Sequence, residues 1–432
     1  MNPTQRFLSD HGLAPAAIDA EALLAAFDAE MTRGLAGAAG ALPMIPAFVT
    51  IDRPVPPDKP AAVIDAGGTN LRVALVRFDA NGRPHISNYT RTRMPGTQAE
   101  VTADTFFDAL ADCIAPLARE ASAVGFCFSY PAEITPDLDA RLLCWTKQIR
   151  APAVVGTMVG SGLRRQLAQR GADRPVVVLN DTVATLLAGK SAGIARHYAS
   201  YVGLILGTGT NTAYVESHAS IRKRRDLDPG GAMAINVESG SFARAPRSRF
   251  DEAFDATTSD AGSYPFEKMI AGAYLGGLGT TVLRAAAEAG LFSPAAAAGL
   301  RACPVLANKE FDDFCHNPQR PPPALAAVPF TEDDRRAVLA IGEQVFGRAA
   351  LFAAVNIAAA VIRTGAGTDP LRPVAVTIDG ATYYRTVAVP FASLVQEHLR
   401  RLLAPRGLHV ELLHVEEAPL IGAAVAGLTT LW

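Results

Sequence analysis

Asp65-Ala66-Gly67-Gly68-Thr69-Asn70 and Leu206-Gly207-Thr208-Gly209-Thr210-Asn211 are two copies of one glycine-threonine-asparagine turn. Each turn lies between two apolar runs rich in β-forming residues, a pattern that predicts strand, tight turn and strand. Glycine lets the backbone approach a ligand closely, and the N–H groups of such turns bind phosphate oxygens. The two turns, named here the first cradle (65–70) and the second cradle (206–211), therefore suit a polyphosphate held between two related domains.

The composition limits what the chain can be. Its 432 residues allow two domains of ordinary size, and 49% hydrophobic residues allow large cores. The formal net charge of −2 favours neither nucleic acid nor an acidic membrane as a partner. The five cysteines are scattered and form no C-x-x-C pair. We therefore expect neither a disulfide framework nor a zinc site, and we expect a cytoplasmic location.

We expect no targeting or membrane-spanning segment. The N-terminus, Met1 to Leu13, has no continuous apolar core. The most apolar stretch, Ala349 to Ile362, is interrupted by Asn356 and is shorter than the roughly 20 residues needed to cross a bilayer. This stretch therefore predicts a buried helix.

Strands and helices are predicted to alternate along the chain, beginning with a hairpin over Ala61 to Phe78. Further predicted helices cover about Phe106–Arg119, Val154–Gln169, Thr182–Gly189, Asp333–Ile362 and Pro390–Leu403, and further predicted strands cover Ala123–Ser129, Pro175–Leu179, Val374–Ile378 and His409–His414. This alternation indicates an α/β fold. Domain boundaries are expected near residue 60, after a proline-rich link, and near Asn180.

Two aspartates next to these elements are candidates for chemistry. Asp65 either binds magnesium through water, as an acidic residue beside a phosphate site can, or caps its own turn; we favour the metal-linked role. Asp181 follows an apolar strand and begins a helix, so it is either a helix N-cap or a general base at the carboxyl end of a strand. Phosphoryl transfer to a hydroxyl needs a carboxylate that accepts the proton, so the two cradles favour the base.

Further segments, in this order along the chain, make the sequence resemble the eukaryotic-type hexokinase family of the actin-like sugar-kinase ATPase superfamily. The segments are Leu42–Val49, Ile64–Val73, Gly125–Pro131, Trp145–Lys147, Leu179–Ala184, Leu206–Asn211, Ile235–Glu238, Phe266–Met269 and Val376–Gly380. The resemblance implies two actin-like (ribonuclease H-like) domains, with mixed sheets flanked by helices and a cleft between the domains. Residues 61–179 and a C-terminal helix over 419–432 would form the small domain, and residues 1–60 and 180–418 the large domain.

The resemblance also implies roles for individual residues. Asp181 would accept the proton of the sugar's 6-hydroxyl, and Lys147 would reach the transferred phosphoryl group. The implied sugar-binding residues are Ser129, Thr146, Lys147, Asn180, Asp181, Asn211 and Glu238. The implied nucleotide-binding residues are Gly67, Gly68, Thr69, Asn70, Arg72, Thr208 and Gly209 at the phosphates and Asp379 and Gly380 near the adenosine. Asp65 would hold Mg²⁺ through water.

The implied activity is ATP- and Mg²⁺-dependent phosphorylation of a hexose, the first step of glycolysis. Glucose is the first candidate sugar, followed by mannose or fructose, and the protein is expected to be a monomer or homodimer without nucleic-acid or membrane partners. The alternatives are a non-catalytic sugar-sensing regulator on the same fold and an actin-like or chaperone-type ATPase. A hexose-by-donor assay separates all three.

Three positions depart from the pattern that the resemblance implies. Gly277 stands where a second sugar-binding glutamate is expected, which predicts weak glucose binding or relaxed selection near carbons 1 and 2. Ser239 replaces a tryptophan and alters the packing behind the sugar. Ala418–Gly422 replaces a glycine-rich loop against the nucleotide, and Pro419 has no backbone N–H to donate.

Overall fold

The computed structural model of this protein describes residues 3–145, 149–192 and 197–430. The strands, β1 to β13 in chain order, are Ile45–Pro46, Ala61–Gly67, Asn70–Phe78, Pro84–Arg93, Ala123–Phe128, Ala132–Ile134, Ala140–Leu142, Val176–Leu179, Ser200–Leu206, Thr210–Ser217, Ala232–Asn236, Val374–Asp379 and Val410–Leu413. The helices, α1 to α14, are Pro3–Asp10, Ala20–Leu35, Ala103–Glu120, Val159–Gln169, Asp181–Ala192, Arg249–Asp255, Pro265–Ile270, Leu275–Glu288, Pro294–Ala302, Asn308–His316, Glu332–Arg363, Ala381–Arg385, Phe391–Leu403 and Ala418–Thr429.

Two mixed sheets carry the two cradles and repeat one topology. The five-stranded sheet has the order β4-β3-β2-β5-β8, in which β2 to β4 form an antiparallel meander and β5 and β8 continue it in parallel. The six-stranded sheet contains β11-β10-β9-β12-β13 with the same directions, and β1 is added at the edge. The repeat supports the duplication that the two cradles suggest.

The cradles are the first hairpin turns of these two meanders. In the first, Gly67 pairs with Asn70 across a two-residue loop, and Gly68 takes the positive φ of 69° that such a loop requires. In the second, Leu206 pairs with Thr210 across a three-residue loop. Both turns therefore lie at the carboxyl end of the first strand of a meander, where open α/β sheets place ligands.

Helices α5 and α14 pack against each other between the two sheets, and glycines set how closely they approach. A methyl group on Gly422 of α14 would overlap the backbone of Ala184 in α5. The same is true of Gly125 in β5, which lies against the backbone of Ala423 in α14. Backbone therefore touches backbone along this axis, and α5, which begins at Asp181, is held firmly.

Helix α11 is the central helix of the larger core. Its most apolar 18-residue window is long and apolar enough to cross a membrane, but 94% of that window is buried inside the protein. This confirms the predicted buried helix. Arg348 of α11 is fully buried and forms a bidentate ion pair with Asp251 of α6, with both N–O distances 2.6 Å. Separating α6 from α11 would leave both charges buried without a partner, so the pair holds α6 against α11.

The predicted strands and helices are present, and the α/β fold is confirmed. The largest difference is at α4, which begins at Val159 and not at Val154. Residues Pro152–Val154 form a separate 3-10 turn, and Gly156 adopts a left-handed backbone (φ 82°) that interrupts the helix. The domain limits at residues 60, 180 and 419 stay predictions.

Candidate active site

Asp181 is the first residue of α5 and is not its cap. Asn180 fills that role, since its side-chain Oδ1 accepts the Thr182 N–H at 2.8 Å and its carbonyl accepts the Ala184 N–H. The Asp181 carboxylate accepts a 3.3 Å hydrogen bond from the Thr182 hydroxyl. Of the two roles that the sequence left open for Asp181, the cap is therefore filled by Asn180, and the Asp181 carboxylate is not used for capping.

A cleft of about 520 Å³ opens in front of Asp181. Predicted site residues from both parts of the chain line it: Ser129, Asn180, Asp181, Thr208, Gly209, Asn211 and Glu238. They come from the ends of β5, β8, β9 and β11 and from the start of β10. The structure therefore brings together five of the residues predicted to bind the sugar and one loop predicted to bind phosphate.

A relay of amides orients Glu238. Asn211 Nδ2 donates to Asn236 Oδ1 at 2.7 Å, and Asn236 Nδ2 donates to Glu238 Oε1 at 2.8 Å. Glu238 has a left-handed backbone (φ 57°), which is unfavourable for a non-glycine residue and is held by its surroundings. Burial raises the pKa of Glu238, and nearby Asp181 and Glu267 add to this, while the Asn236 amide opposes it.

Glu267 of α7 supplies a further carboxylate to the cleft, and we did not predict it as a site residue. Its Oε2 accepts the Thr210 N–H at 2.8 Å, so the carboxylate also supports the second cradle. Tyr264, Tyr274 and Asp260 complete this wall. Glu267 stands inside the Phe266–Met269 segment, and its place beside Lys268 in that matched segment was the available signal.

Gly277 lies in α8 and is not among the residues that line the cleft, and a methyl group there would overlap the Phe254 ring. A glutamate at this position would therefore need Phe254 to move before its side chain could reach the cleft. The weaker glucose binding expected from Gly277 stays a prediction.

Arg72 links the first cradle to the C-terminal helix. Its guanidinium forms an ion pair with Asp65 and a second one, at 2.8 Å, with Glu417, which directly precedes α14. Burial raises the pKa of Asp65, Arg72 opposes this, and Asp181 adds to it. Arg72 and Asp65 thus lie within electrostatic range of the proposed base, although Gly67, Gly68, Thr69 and Asn70 do not line the cleft itself.

A second cavity of about 410 Å³ adjoins the cleft on the side of the second cradle. Its lining residues are Gly207, Thr208, Gly272, Ala273, Asn308, Lys309, Asp312, Ala381, Thr382, Arg385 and Thr386. Thr208 and Ala273 line both spaces, so a ligand in the second cavity can reach the cleft past Thr208.

Asp379 and Gly380 lie beside this second cavity. Gly380 has φ 126°, and its Cα is within 3.3 Å of the position that a Cβ on Gly207 would take. Only glycine fits such a close approach with this backbone. Burial raises the pKa of Asp379, Arg72 opposes this, and Asp181 adds to it, so Asp379 belongs to the same group of charges.

The other two departures have structural explanations. Ser239 is fully buried; its hydroxyl donates to Thr212 Oγ1 and accepts from Asn356 Nδ2, so a polar chain fills the space behind the site. Pro419 lies in the first turn of α14, where its missing N–H has no helical partner to lose. Thr146 and Lys147, both predicted site residues, lie outside the described residues.

Comparison with protein families assigns both halves of the chain. A hexokinase family model matches residues 8–191, and a second hexokinase family model matches residues 201–429. The chain belongs to the hexokinase family. Residues 8–191 contain the whole five-stranded sheet, and residues 201–429 contain the six-stranded sheet except for β1 and the first residue of β9.

Relatives of this hexokinase-family chain span its whole length. It is 30% identical to Hexokinase-2 of Oryza sativa subsp. japonica over 407 residues, covering 87% of this chain and 80% of that one. It is 32% identical to human Hexokinase-3 over 447 residues, covering 97% of this chain and 47% of that one. The chain spans about half the length of most of these curated relatives.

Solved structures agree with this family and fold. A crystal structure of a hexokinase has a TM-score of 0.79 and 26% identity, and covers 98% of this chain and 99% of its own. A hexokinase from Schistosoma mansoni complexed with glucose has a TM-score of 0.77 and 24% identity, with the same coverage. The two-domain actin-like sugar-kinase fold is therefore confirmed.

Proposed function

We propose that this hexokinase-family chain transfers the γ-phosphoryl group of ATP to the 6-hydroxyl of a hexose. The observation that carries the proposal is the position of the Asp181 carboxylate. Asn180 caps the helix in its place, and Asp181 lines a polar cleft that shares Thr208 with a second cavity. A carboxylate near an acceptor hydroxyl and a phosphate-binding turn is what phosphoryl transfer to an alcohol requires.

In this proposal Asp181 accepts the proton of the 6-hydroxyl as that oxygen forms its bond to the γ-phosphorus. The bond from the γ-phosphorus to the bridging oxygen breaks, and ADP leaves with its electrons. The base acts by proton transfer, which commonly contributes about 10²- to 10⁴-fold to a rate. Closure of the cleft over the sugar would exclude water from the γ-phosphate.

The remaining sugar hydroxyls would be held by the polar wall of the cleft. Asn180, Asn211, Glu238, Glu267 and Tyr274 all line it. A sugar carries many hydroxyls that must be paired when buried, and this wall offers both amide donors and carboxylate acceptors. Ser129, Thr146 and Lys147 are proposed to complete the set.

The donor would lie in the second cavity, with its phosphate chain between the cradles. Thr208 and Gly209 would meet the phosphates from one side, and Gly67 to Asn70 with Arg72 from the other. Asp379 and Gly380 would lie near the adenosine. ATP is the proposed donor because the second cavity, of about 410 Å³, has a volume typical of small-molecule sites and shares Thr208 with the cleft.

Mg²⁺ would neutralise developing charge on the donor phosphates when bound. Among the described residues no group of three His, Cys, Asp or Glu side chains is placed to hold a metal ion. Mg²⁺ commonly keeps several waters and binds through one or two carboxylates and substrate phosphates. Asp65, already paired with Arg72, would contact its water shell, and Asp379 lies in the same group of charges.

We propose glucose as the first sugar to test, because the Schistosoma mansoni hexokinase of the same fold was solved with glucose. Mannose and fructose follow. We further propose action in the cytoplasm at the first step of glycolysis, as a monomer or homodimer, with no nucleic-acid or membrane partner.

The test is a coupled assay that crosses glucose, mannose and fructose with ATP, ADP and pyrophosphate, with and without Mg²⁺. We expect turnover with ATP and at least one hexose, dependent on Mg²⁺. Calorimetric sugar binding without any phosphorylation would instead identify the non-catalytic sugar sensor. Nucleotide hydrolysis that no hexose alters would identify an ATPase of another kind and overturn the proposal.

A further inference from the structure

Strand β4 carries two arginines at its cradle end that the proposed mechanism does not use. β4 is the edge strand of the five-stranded sheet and pairs antiparallel with β3. In that register Arg93 lies opposite Asn70, and Arg91 lies opposite Arg72. Arg93 therefore lies next to the last residue of the first cradle, and Arg91 lies next to a residue that follows the cradle closely in the chain.

These arginines share one face of the sheet with the phosphate-binding residues. Residues paired across an antiparallel ladder point to the same face, and so do residues two apart along a strand. Arg72, Arg91, Arg93 and Asn70 therefore form one polar patch, here called the arginine patch. Arg91 Nε donates to Asn70 Oδ1 at 3.1 Å, which ties the edge strand to the cradle.

The arginine patch is unbalanced in charge. Like charges directly opposite each other on a sheet are destabilising. Arg72 is compensated by Asp65 and Glu417, but neither Arg91 nor Arg93 has an ion-pair partner within the described part of the chain. Both side chains are exposed. Three guanidinium groups beside a phosphate-binding turn, two of them without a carboxylate, form a site for an anion with several charges.

We propose that Arg91 and Arg93 extend the first cradle and bind the phosphate chain of the donor. The proposal rests on the proposed function for the identity of that donor. Guanidinium groups bind phosphate oxygens through paired N–H donors, which a lysine cannot reproduce. The patch would hold the part of the donor's phosphate chain that leaves the cleft beside Asn70. It would strengthen donor binding without taking part in the transfer itself.

The experiment compares the double variant Arg91→Ala/Arg93→Ala with Arg77→Ala. Arg77 is an exposed arginine of the same strand pair, opposite His85 at the end away from the cradle. We expect the double variant to raise the KM for ATP roughly tenfold, with kcat within about twofold of wild type, since each exposed charged contact is worth up to about fivefold. Arg77→Ala should match wild type. The effect should shrink at high salt.

A second arm separates a nucleotide from a free phosphate chain. Inorganic tripolyphosphate is titrated as an inhibitor against ATP, and calorimetry measures ATP and tripolyphosphate binding directly. A loss of affinity for ATP, with or without a loss for tripolyphosphate, supports the patch as a site for the donor's phosphate chain. A loss for tripolyphosphate alone means that the patch binds free phosphate chains and not the nucleotide, and it overturns the proposal. Lys substitutions at both positions should give an intermediate loss.

Unchanged ATP and tripolyphosphate affinity in the double variant, relative to Arg77→Ala, overturns the proposal. Binding is measured without sugar, so the result stands even if the wild-type protein phosphorylates no hexose. Failure of the proposed function and failure of the arginine patch are therefore read from different measurements.

Discussion

Asn236 Nδ2 lies 2.8 Å from Glu238 Oε1 and donates a hydrogen bond to it, two residues away along a chain that turns through a left-handed residue. This bond orients the carboxylate that lines the cleft and lowers the cost of its charge. Asn236 itself is buried and does not line the main cleft. It is thus a positioning residue, and its contribution can be separated from direct sugar contact.

We predict that Asn236→Asp raises the KM for the sugar about 10- to 100-fold, because a hydrogen bond to a charged group is worth about 1.5–3 kcal/mol. The new carboxylate also repels Glu238 and raises its pKa further. If binding needs ionised Glu238, the sugar KM should increase as pH falls through that pKa, and the increase should begin at higher pH in the variant. Steady-state kinetics from pH 5 to 8 measure both.

Asn81→Asp is the control, since Asn81 is exposed in the turn after β3, far along the strand from the cradle. It introduces the same charge change without touching the cleft. A pH profile of the sugar KM that is identical in Asn236→Asp and wild type would refute the positioning role.

The second prediction concerns the proposed base. Asp181→Ala should lower kcat at least about 10²-fold, because general base catalysis typically contributes 10²- to 10⁴-fold. The helix cap is provided by Asn180, so the variant should keep its fold. Stopped assays measure turnover, and circular dichroism with thermal melting checks folding.

Asp173→Asn, at an exposed aspartate paired with Arg164, is the matched control for the loss of one acidic group. Turnover in Asp181→Ala that stays near the wild-type level would refute the mechanism, because phosphoryl transfer would then not depend on a carboxylate at position 181.

The third prediction concerns stability against pH. The pKa of Glu238 is raised in the folded protein, so the folded state favours its neutral form. The contribution of Glu238 to the free energy of unfolding is therefore full below its unfolded pKa and is lost as pH rises through the raised folded pKa. At pH 7.5 the ionised Glu238 thus makes the folded protein less stable than a neutral side chain would. Glu238→Gln should melt at a higher temperature than wild type at pH 7.5, and the difference should shrink towards pH 4.

The same variant should bind sugar more weakly, because a charged acceptor is replaced by a neutral amide. Thermal melts across pH 4 to 8 without ligand, with calorimetric sugar titrations, check both effects. Equal melting temperatures at pH 7.5 would contradict the electrostatic assignment.

The fourth prediction concerns Gly277. Gly277→Glu should not tighten glucose binding, because the new side chain on α8 would start against the ring of Phe254 in α6. Forcing extra atoms into a packed core typically costs about 1–3 kcal/mol. The variant should therefore melt at a lower temperature. Gly347→Ala is the control: this helical glycine has room, with a Cβ 3.5 Å from Pro15 Cγ, and should be neutral or stabilising.

The sequence predicted most of the fold because its signals are local. The hairpin around Gly67 and Gly68, the α5 start after Asn180 and the buried run in α11 each depend on patterns within a few residues. Residues with long-range roles were harder to find. The ion pair between Arg72 and Glu417 joins positions far apart in the chain, and no local pattern encodes it.

The surroundings of Gly277 could not be predicted for a related physical reason. A helix position can be assigned from sequence, but the direction of its side chain depends on what packs against it. Phe254 fills the space beside Gly277, while the carboxylate of Glu267, one helix earlier, accepts the Thr210 N–H of the second cradle. The sequence marked both segments, and only the packing showed that Glu267 lines the cleft.

The contact of Gly422 with Ala184 constrains how the protein can move. Because α5 and α14 touch backbone to backbone, their axes cannot come closer together. An opening and shutting over a ligand would be expected to swivel about this shared contact, with Asp181 and Glu417 each at one helix's amino end. A side chain larger than hydrogen at position 422 would act as a wedge at the pivot, and its effect would be felt at both phosphate-binding turns at once.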